Sequence, residues 1–211
     1  IIGIVEGITE FLPISSTGHM IIVGHLLGFD GPVANVFDVF IQLGAILSVI
    51  FLYREKFRHF FTREGWKVDK GLSVWHVAAG IVPVMGIAFF AHSSIKHYLF
   101  SPFTVAIGFV LGAFLMMYAE KKTENMQEYL LDNVDKISIR QAALVGAFQI
   151  LSLWPGFSRS GSTIGGGLLI GLTRKAAAEY SFIIAVPLMF VACIYDLMKN
   201  MASLSTNDLH L

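Results

Sequence analysis

Glu6–His19, EGITEFLPISSTGH, is the stretch from which the rest of the chain is read. It places two carboxylates, the hydroxyls of Ser15, Ser16 and Thr17, and a histidine inside strongly apolar sequence. Polar side chains flanked by membrane-length apolar runs are expensive and by default mark a functional site. A second stretch, Trp154–Thr163, WPGFSRSGST, has the same character and adds an arginine. The chain between them reads as a scaffold that holds the two stretches against each other.

Composition sets the class. Of 211 residues, 55% are hydrophobic and 14% charged, and mean hydropathy is +0.68. Soluble domains carry about 25% charge, so an integral membrane protein is expected. Net charge is zero and no basic block is present, which argues against nucleic acid as a partner. The single cysteine, Cys193, excludes a disulfide within the chain. The twenty glycines suit membrane helices, where glycine lets backbones approach closely. The chain starts inside an apolar helix with no initiator Met and no signal-peptide n-region, so it reads as a segment of a longer protein.

Residues 1–12 predict a helix with Glu6 and Glu10 on one face. Pro13 breaks it, and the capping-type run Ser15–Gly18 predicts a second half-helix to about Gly28. Each half is too short to span alone, since a span needs about 20 residues. Residues 1–28 therefore predict a re-entrant hairpin, whose broken tip is tolerable where it lines a cavity or packs in protein. Full spans are expected at 34–53, 76–92, 101–119 and 176–198. Between them lie a basic loop at 54–75, a short turn around Ser93–Phe100 and a polar loop at 120–139, and a polar tail ends the chain. Residues 140–172 repeat the hairpin pattern, with the break at Pro155-Gly156.

Sliding the chain by 143 residues superimposes Gly3 on Gly146, Ser15 on Ser158, Gly18 on Gly161, Gly24 on Gly167 and Gly28 on Gly171. Glu6 falls on Gln149, Asp38 on Ser181, and the proline breaks fall one residue apart. Three spans separate the two hairpins, and an odd number inverts the second unit relative to the first. The expected fold is an all-α integral membrane bundle with two inverted-topology repeats, each containing a re-entrant broken-helix hairpin. It forms one membrane domain, with repeat one at about 1–92 and repeat two at about 101–211. Arg54, Lys56, Arg58, Arg63, Lys67 and Lys70 outnumber the acids of their loop, which predicts that 54–75 is cytoplasmic. The first hairpin then enters from the outer side.

The second hairpin carries the plainest chemistry. Ser158, Arg159, Ser160, Gly161 and Thr163 stand at the start of a half-helix. A helix N-terminus offers free N–H groups and a positive dipole end to an anion, and arginine adds a fork that matches phosphate. The bland alternative is a capped helix with Arg159 snorkelling to the interface; no acid near it in sequence would neutralise it there. In the first hairpin Ser15, Ser16, Thr17 and His19 form a facing donor cluster, so the pair suits a doubly phosphorylated group. Ser16 with His19 could form a nucleophile and base, or His19 could orient or protonate a reacting group. Glu10 could bind a divalent cation, act as base or orient His19. Glu6 could join it or be a structural carboxylate. Asp38, Gln42 and Gln149 lie at membrane depth as candidates to support the site, whereas His25, His59, His76, His92 and His97 read as structural. Trp75 and Trp154 read as packing or interface aromatics, and Gly165–Gly167 as a close-packing stripe.

At EGITEFLPISSTGH and LWPGFSRSGSTI (Leu153–Ile164) the sequence resembles the bacterial undecaprenyl pyrophosphate phosphatase family, known also for bacitracin resistance. The similarity extends to FDVFIQLGAI and EYSFIIAVP. The resemblance implies a multi-pass enzyme of the bacterial inner membrane that removes the terminal phosphate of C55 polyprenyl pyrophosphate. The monophosphate carrier is thereby recycled for peptidoglycan synthesis. It also implies a divalent cation (Mg2+ or Ca2+), with Glu6 and Glu10 as the acidic pair and metal candidates. Ser16 and His19 would be the catalytic pair and Arg159 the pyrophosphate-binding arginine, in a site open to the outer, periplasmic side. The expected partners are the lipid pyrophosphate and membrane lipid, with a homodimer as an open arrangement. The family continues with further apolar helices after one like 176–198, so its C-terminal helices are expected to be missing from these residues. The rival reading is an inverted-repeat flippase or transporter of polyprenyl phosphate. A different lipid phosphatase fits less well, because a second histidine motif is absent from the sequence.

Overall fold

A computed structural model of the chain describes residues 1–29, 32–99 and 102–201. The polar tail, the side chains of His92 and His97, and part of the link between Gly28 and Asn35 lie outside the described residues. The described residues form nine α-helices: α1 Ile2–Thr9, α2 Ser16–Leu27, α3 Pro32–Leu52, α4 Arg54–Phe60, α5 Val74–Leu99, α6 Pro102–Thr123, α7 Ile139–Gln149, α8 Arg159–Leu169 and α9 Arg174–Met201. Short 3₁₀ turns fill the connections at Glu64–Trp66, Val68–Lys70, Glu124–Tyr129, Val134–Lys136 and Ile150–Leu153. Among the described residues the only β-type pairing is an isolated bridge between Leu131 and Leu172.

By length and composition, Val74–Ala91, Phe103–Met126 and Arg174–Tyr195 can each cross a membrane, and α3 makes a fourth when joined to the helix that follows it. That joint is a bend of 83° between Phe37–Leu52 and Arg54–Phe60. The segment read as a basic loop thus begins as a helix turned across the axis of α3. Its inner residues Phe57 and Phe60 pack on the core, and Lys56 pairs with Asp135. Two other expected connections are also shorter than the sequence suggests. Helix α5 continues through the turn expected around Ser93–Phe100 as far as Leu99, and α6 runs on to Thr123. The polarity of these extensions reflects helix ends that leave the apolar zone while the backbone continues to satisfy its own hydrogen bonds.

The core sits between α5, α7, α8 and α9, around the fully buried Val145, Tyr180, Ile183 and Ile184 with Ile164, Leu168 and Leu172. A second cluster, Ile46, Val49, Val186 and Cys193, joins α3 to α9. Between helices in lipid, close packing takes the place of the hydrophobic drive, so small residues set the approach. A Cβ at Gly146 would stand 2.6 Å from the carbonyl oxygen of Gly80, and one at Gly166 would stand 2.4 Å from the Phe148 ring. The glycine stripe at 165–167 is therefore a packing surface. Tyr180 crosses the same seam and donates its hydroxyl to the His76 carbonyl at 2.6 Å.

Gly146→Leu should lower the melting temperature in detergent by an amount equivalent to about 1–3 kcal/mol, the usual cost of overpacking. Gly7, where an added methyl group would meet nothing within 4 Å, should accept alanine with no loss, since alanine is the better helix former. Equal melting temperatures for the two variants would show that the α5–α7 contact is looser than described.

Candidate active site

The first hairpin reaches the site through a strained turn. Helix α1 closes at Glu10, whose N–H donates to the Glu6 carbonyl at 2.8 Å. Pro13 then diverts the chain, and Ser15 takes φ 63°, a positive value found at no other non-glycine residue described. Such a conformation is costly and persists where its surroundings enforce it. The expected cap is therefore half right. Ser15 begins α2, but its side chain caps nothing, so the first N–H groups of α2 are not tied up by a capping side chain. The second hairpin is capped: Ser158 Oγ accepts from the Gly161 N–H at 3.2 Å.

The two tips are bonded together. Arg159, the first residue of α8, donates from Nη2 to Glu10 Oε1 at 3.1 Å and from Nη1 to the Ser181 carbonyl at 3.2 Å. Ser16 donates its hydroxyl to the other Glu10 oxygen in a short contact. Ser160 donates to the Leu12 carbonyl at 2.9 Å and shares a 3.1 Å contact with Ser158. The result is a line of three side chains, Ser16, Glu10 and Arg159, drawn from both stretches that the sequence singled out. Sequence reasoning missed this pairing: it sought an acid near Arg159 along the chain, and the acid comes from the other hairpin.

A cavity of about 410 Å³ opens over this line. Glu10, Ser15, Ser16, Thr17 and Gly18 form one side of its wall, and Ser152 through Ser160 the other. Gln42 from α3, Val105 from α6 and Met189 from α9 complete it. Trp154 belongs to the wall as well as to the packing, since its indole N–H donates to the Thr104 carbonyl at 2.8 Å. Helix α6 carries the tip of the second hairpin very closely: a Cβ at Gly108 would be 2.5 Å from the Pro155 carbonyl oxygen. It also meets the first hairpin, where a Cβ at Gly18 would strike the Phe109 ring at 2.3 Å.

The remaining expected site residues stand around this centre rather than in its wall. His19, half-buried, holds its Nδ1 2.9 Å from the Ser15 carbonyl. Since a carbonyl only accepts, Nδ1 carries the proton and Nε2 is the basic nitrogen. Thr163 is fully buried, donating to the Arg159 carbonyl at 3.0 Å and meeting the Ser181 hydroxyl. Gly161 is buried at the contact with Pro13. Glu6 lies one turn before Glu10, 2% exposed, with Oε1 lacking a hydrogen-bond partner. Gln149, onto which Glu6 falls when the sequence is slid by 143 residues, is likewise buried and likewise leaves Oε1 without a partner, while its Nε2 donates to the Gly80 carbonyl at 3.2 Å. Among the described residues no group of three or more His, Cys, Asp and Glu side chains is arranged to hold a metal ion.

Chemically, the cavity offers a guanidinium, a carboxylate already in contact with a hydroxyl, further hydroxyls and a helix N-terminus. Arginine and helix N–H groups recognise phosphate oxygens. A serine hydroxyl bonded to a carboxylate is poised to lose its proton. At 14% and 9% side-chain exposure, Arg159 and Glu10 are largely withdrawn from water, so their charges act at short range with little screening.

A family model described as bacitracin resistance protein BacA matches residues 1–211. Curated relatives named undecaprenyl-diphosphatase 1 from Bacillus anthracis and from Bacillus thuringiensis (strain Al Hakam) are each 47% identical over 210 residues, covering 99% of this chain and 78% of the relative. A relative named undecaprenyl-diphosphatase from Nitratidesulfovibrio vulgaris (strain Hildenborough) is 48% identical with the same coverage. Both motifs and all the helices that carry them fall within the matched residues, and the apolar helices make this a multi-pass membrane protein. The chain belongs to the BacA bacitracin resistance protein family.

Proposed function

We propose that this protein hydrolyses undecaprenyl diphosphate to the monophosphate and inorganic phosphate, recycling the lipid carrier for peptidoglycan synthesis and conferring bacitracin resistance. The observation that carries the reading is the line Ser16–Glu10–Arg159 in the wall of one cavity, joining both hairpin tips. A transporter of the same architecture needs an anion site but has no use for a hydroxyl paired with a carboxylate beside it. The names borne by the relatives point to the same chemistry.

In this reading Arg159, Ser158, Ser160 and the N-terminus of α2 with Ser15 and Thr17 hold the phosphates, and Gly161 lets the tips approach. Arg159 stabilises the charge on the transferred phosphoryl, which is where enzymes of this kind gain most. Glu10 accepts the proton of Ser16 as the hydroxyl attacks the terminal phosphorus, or the same pair activates water for direct attack. In either case the bond to the bridging oxygen breaks and the lipid monophosphate leaves; in the first route water then attacks the phosphoserine, breaking its P–O bond to release inorganic phosphate and restore the Ser16 hydroxyl. His19 and Thr163 set the positions of the α2 and α8 backbones from behind, with His19 Nε2 available to the proton traffic. A divalent cation (Mg2+ or Ca2+) would be held by Glu10, supported by Glu6, together with the substrate's phosphate oxygens, a mode in which one or two carboxylates suffice; it would supply charge neutralisation. The unpartnered buried oxygen of Glu6 suits that role.

The 211 residues are read as one membrane domain of two inverted repeats (about 1–92 and 101–211), each containing a re-entrant hairpin. Three features support this. Gly28 and Gly171, repeat equivalents, close α2 and α8 with positive φ of 67° and 98°. Glu6 and Gln149 share their burial and their orphan oxygen. Helices α3 and α9, each following its hairpin, pack on each other through Ile46, Val49, Val186 and Cys193. The cavity reaches α6 at Val105, near its start, whereas the basic segment is tied by Lys56 to Asp135, beyond its end. With the basic segment cytoplasmic, the cavity opens to the periplasmic side of the inner membrane.

In detergent, the purified chain should release phosphate from a short-chain polyprenyl diphosphate, and Arg159→Ala should lower kcat/KM by about 100-fold or more. Translocation of the lipid in proteoliposomes without phosphate release would favour the transporter reading. Chelation should abolish turnover and added Mg2+ or Ca2+ restore it. Rapid quench with labelled substrate should trap phosphate on Ser16 if the route is covalent; an unlabelled Ser16 during active turnover selects direct water attack. Stability separates the pair from the chemistry. Arg159→Leu alone strands the Glu10 carboxylate and should cost about 3 kcal/mol, while Glu10→Gln with Arg159→Leu should recover most of that melting-temperature loss.

A further inference from the structure

The hairpins supply Glu10, Arg159 and the hydroxyls of the cavity wall, but one polar side chain there comes from elsewhere. Gln42 lies on α3, and it is the only carboxamide among the described lining residues. Apart from Asp38 one turn before it, its neighbours along the helix are apolar, and in a membrane span an amide has to find polar company or face an unfavourable burial. One pole of the amide is accounted for. Cys193 Sγ, on α9, lies 3.8 Å from Gln42 Oε1 and also 3.8 Å from the Val39 carbonyl. A thiol approaching a carboxamide oxygen donates to it, and the same side chain lines the cavity, where its N–H groups can serve a ligand.

Those N–H groups would add to the donors that the start of α2 leaves uncapped. The Glu10 carboxylate and the Ser160 hydroxyl are engaged across the two hairpins, and the Ser158 hydroxyl is engaged within its own, with Ser160 and the Gly161 N–H. Arg159 directs one nitrogen to Glu10 and another to the Ser181 carbonyl. A polyprenyl diphosphate brings five non-bridging oxygens into a space where much of the donor capacity is already committed. An amide adds N–H donors to this place without adding charge to the wall.

We propose that Gln42 is a substrate-contacting residue that donates an amide N–H to a non-bridging oxygen of the diphosphate from the α3 wall. The assignment rests on the diphosphatase reading above. It gives α3 a direct part in recognition, beyond packing against α9. It also makes the site a product of both hairpins and the span that follows the first of them.

The test compares Gln42→Ala, Gln42→Glu and the parent chain, all full length in detergent, with phosphate release from a short-chain polyprenyl diphosphate as the readout. A hydrogen bond to a charged group is worth about 1.5–3 kcal/mol, so Gln42→Ala should lower kcat/KM by about tenfold to a hundredfold. Gln42→Glu should lower it further, with KM raised more than in the alanine variant, since a second carboxylate repels the diphosphate. The order of the two separates contact with an anion from a merely structural role, because glutamate is the closer match in shape and would be the milder change if Gln42 only filled space. Binding of a non-hydrolysable methylene diphosphonate analogue, read by thermal shift, should weaken in the same order. A Gln42→Ala enzyme within twofold of the parent, or a glutamate variant more active than the alanine one, would overturn the assignment. A parent chain that releases no phosphate but still binds the analogue would instead overturn the diphosphatase reading. Weaker analogue binding in the two variants would then uphold the Gln42 contact, and unchanged binding would overturn it as well.

Discussion

One ion pair holds the functional half of this molecule together. Arg159 at the start of α8 and Glu10 at the end of α1 meet at 3.1 Å across the two hairpin tips, each largely withdrawn from water. A buried pair of this kind offsets the desolvation of its members only when the remaining donors and acceptors are also satisfied. Here Ser16 takes the second Glu10 oxygen and the Ser181 carbonyl takes a second Arg159 nitrogen. The need to neutralise an arginine inside a membrane protein thus forces the two hairpins into register, and the register is what creates the cavity.

The same contact bears on function. A guanidinium already paired with a carboxylate attracts a phosphate less strongly than a lone one would, while in the proposed mechanism the carboxylate activates the neighbouring hydroxyl. Affinity is exchanged for chemistry, which is the pattern expected where binding energy is reserved for the transition state. Additional donors then matter more, and the proposed ones are an α2 start that its own Ser15 side chain leaves uncapped and Gln42 on α3. The strained φ of Ser15 fits this arrangement, since sparsely populated backbone conformations gather where function holds them in place.

Close backbone approach is the second requirement. Gly108 and Gly156 let α6 lie against the tip of the second hairpin, and Gly18 lets α6 reach the first. Helix α6 therefore touches both halves of the site although it contributes only Val105 to the described cavity wall. Gly80, Gly146, Gly166 and Gly167 do the same for the core beneath. In these contacts the residues that cost conformational entropy are the ones that allow van der Waals packing in place of a hydrophobic drive.

Much of this was legible in the residues. The half-helix, break, half-helix pattern at Pro13 and at Pro155-Gly156 is present in the structure, because proline and glycine act locally and membrane-length apolar runs leave a helix little alternative. The glycine stripe at 165–167 was readable as packing for the same local reason. The bend after Leu52 and the continuation of α5 to Leu99 were not, because polarity marks where a helix leaves the apolar zone and not where it stops or turns. Nor was the partner of Arg159 legible, or the place of Gln42, Trp154 and Met189 in the cavity wall. Sequence by itself determined which residues must be kept from lipid; only the tertiary structure decided which of them face one another. The reason is physical: burial cost is a property of each side chain, whereas an ion pair between residues 149 apart in the chain exists only once the helices between them have packed.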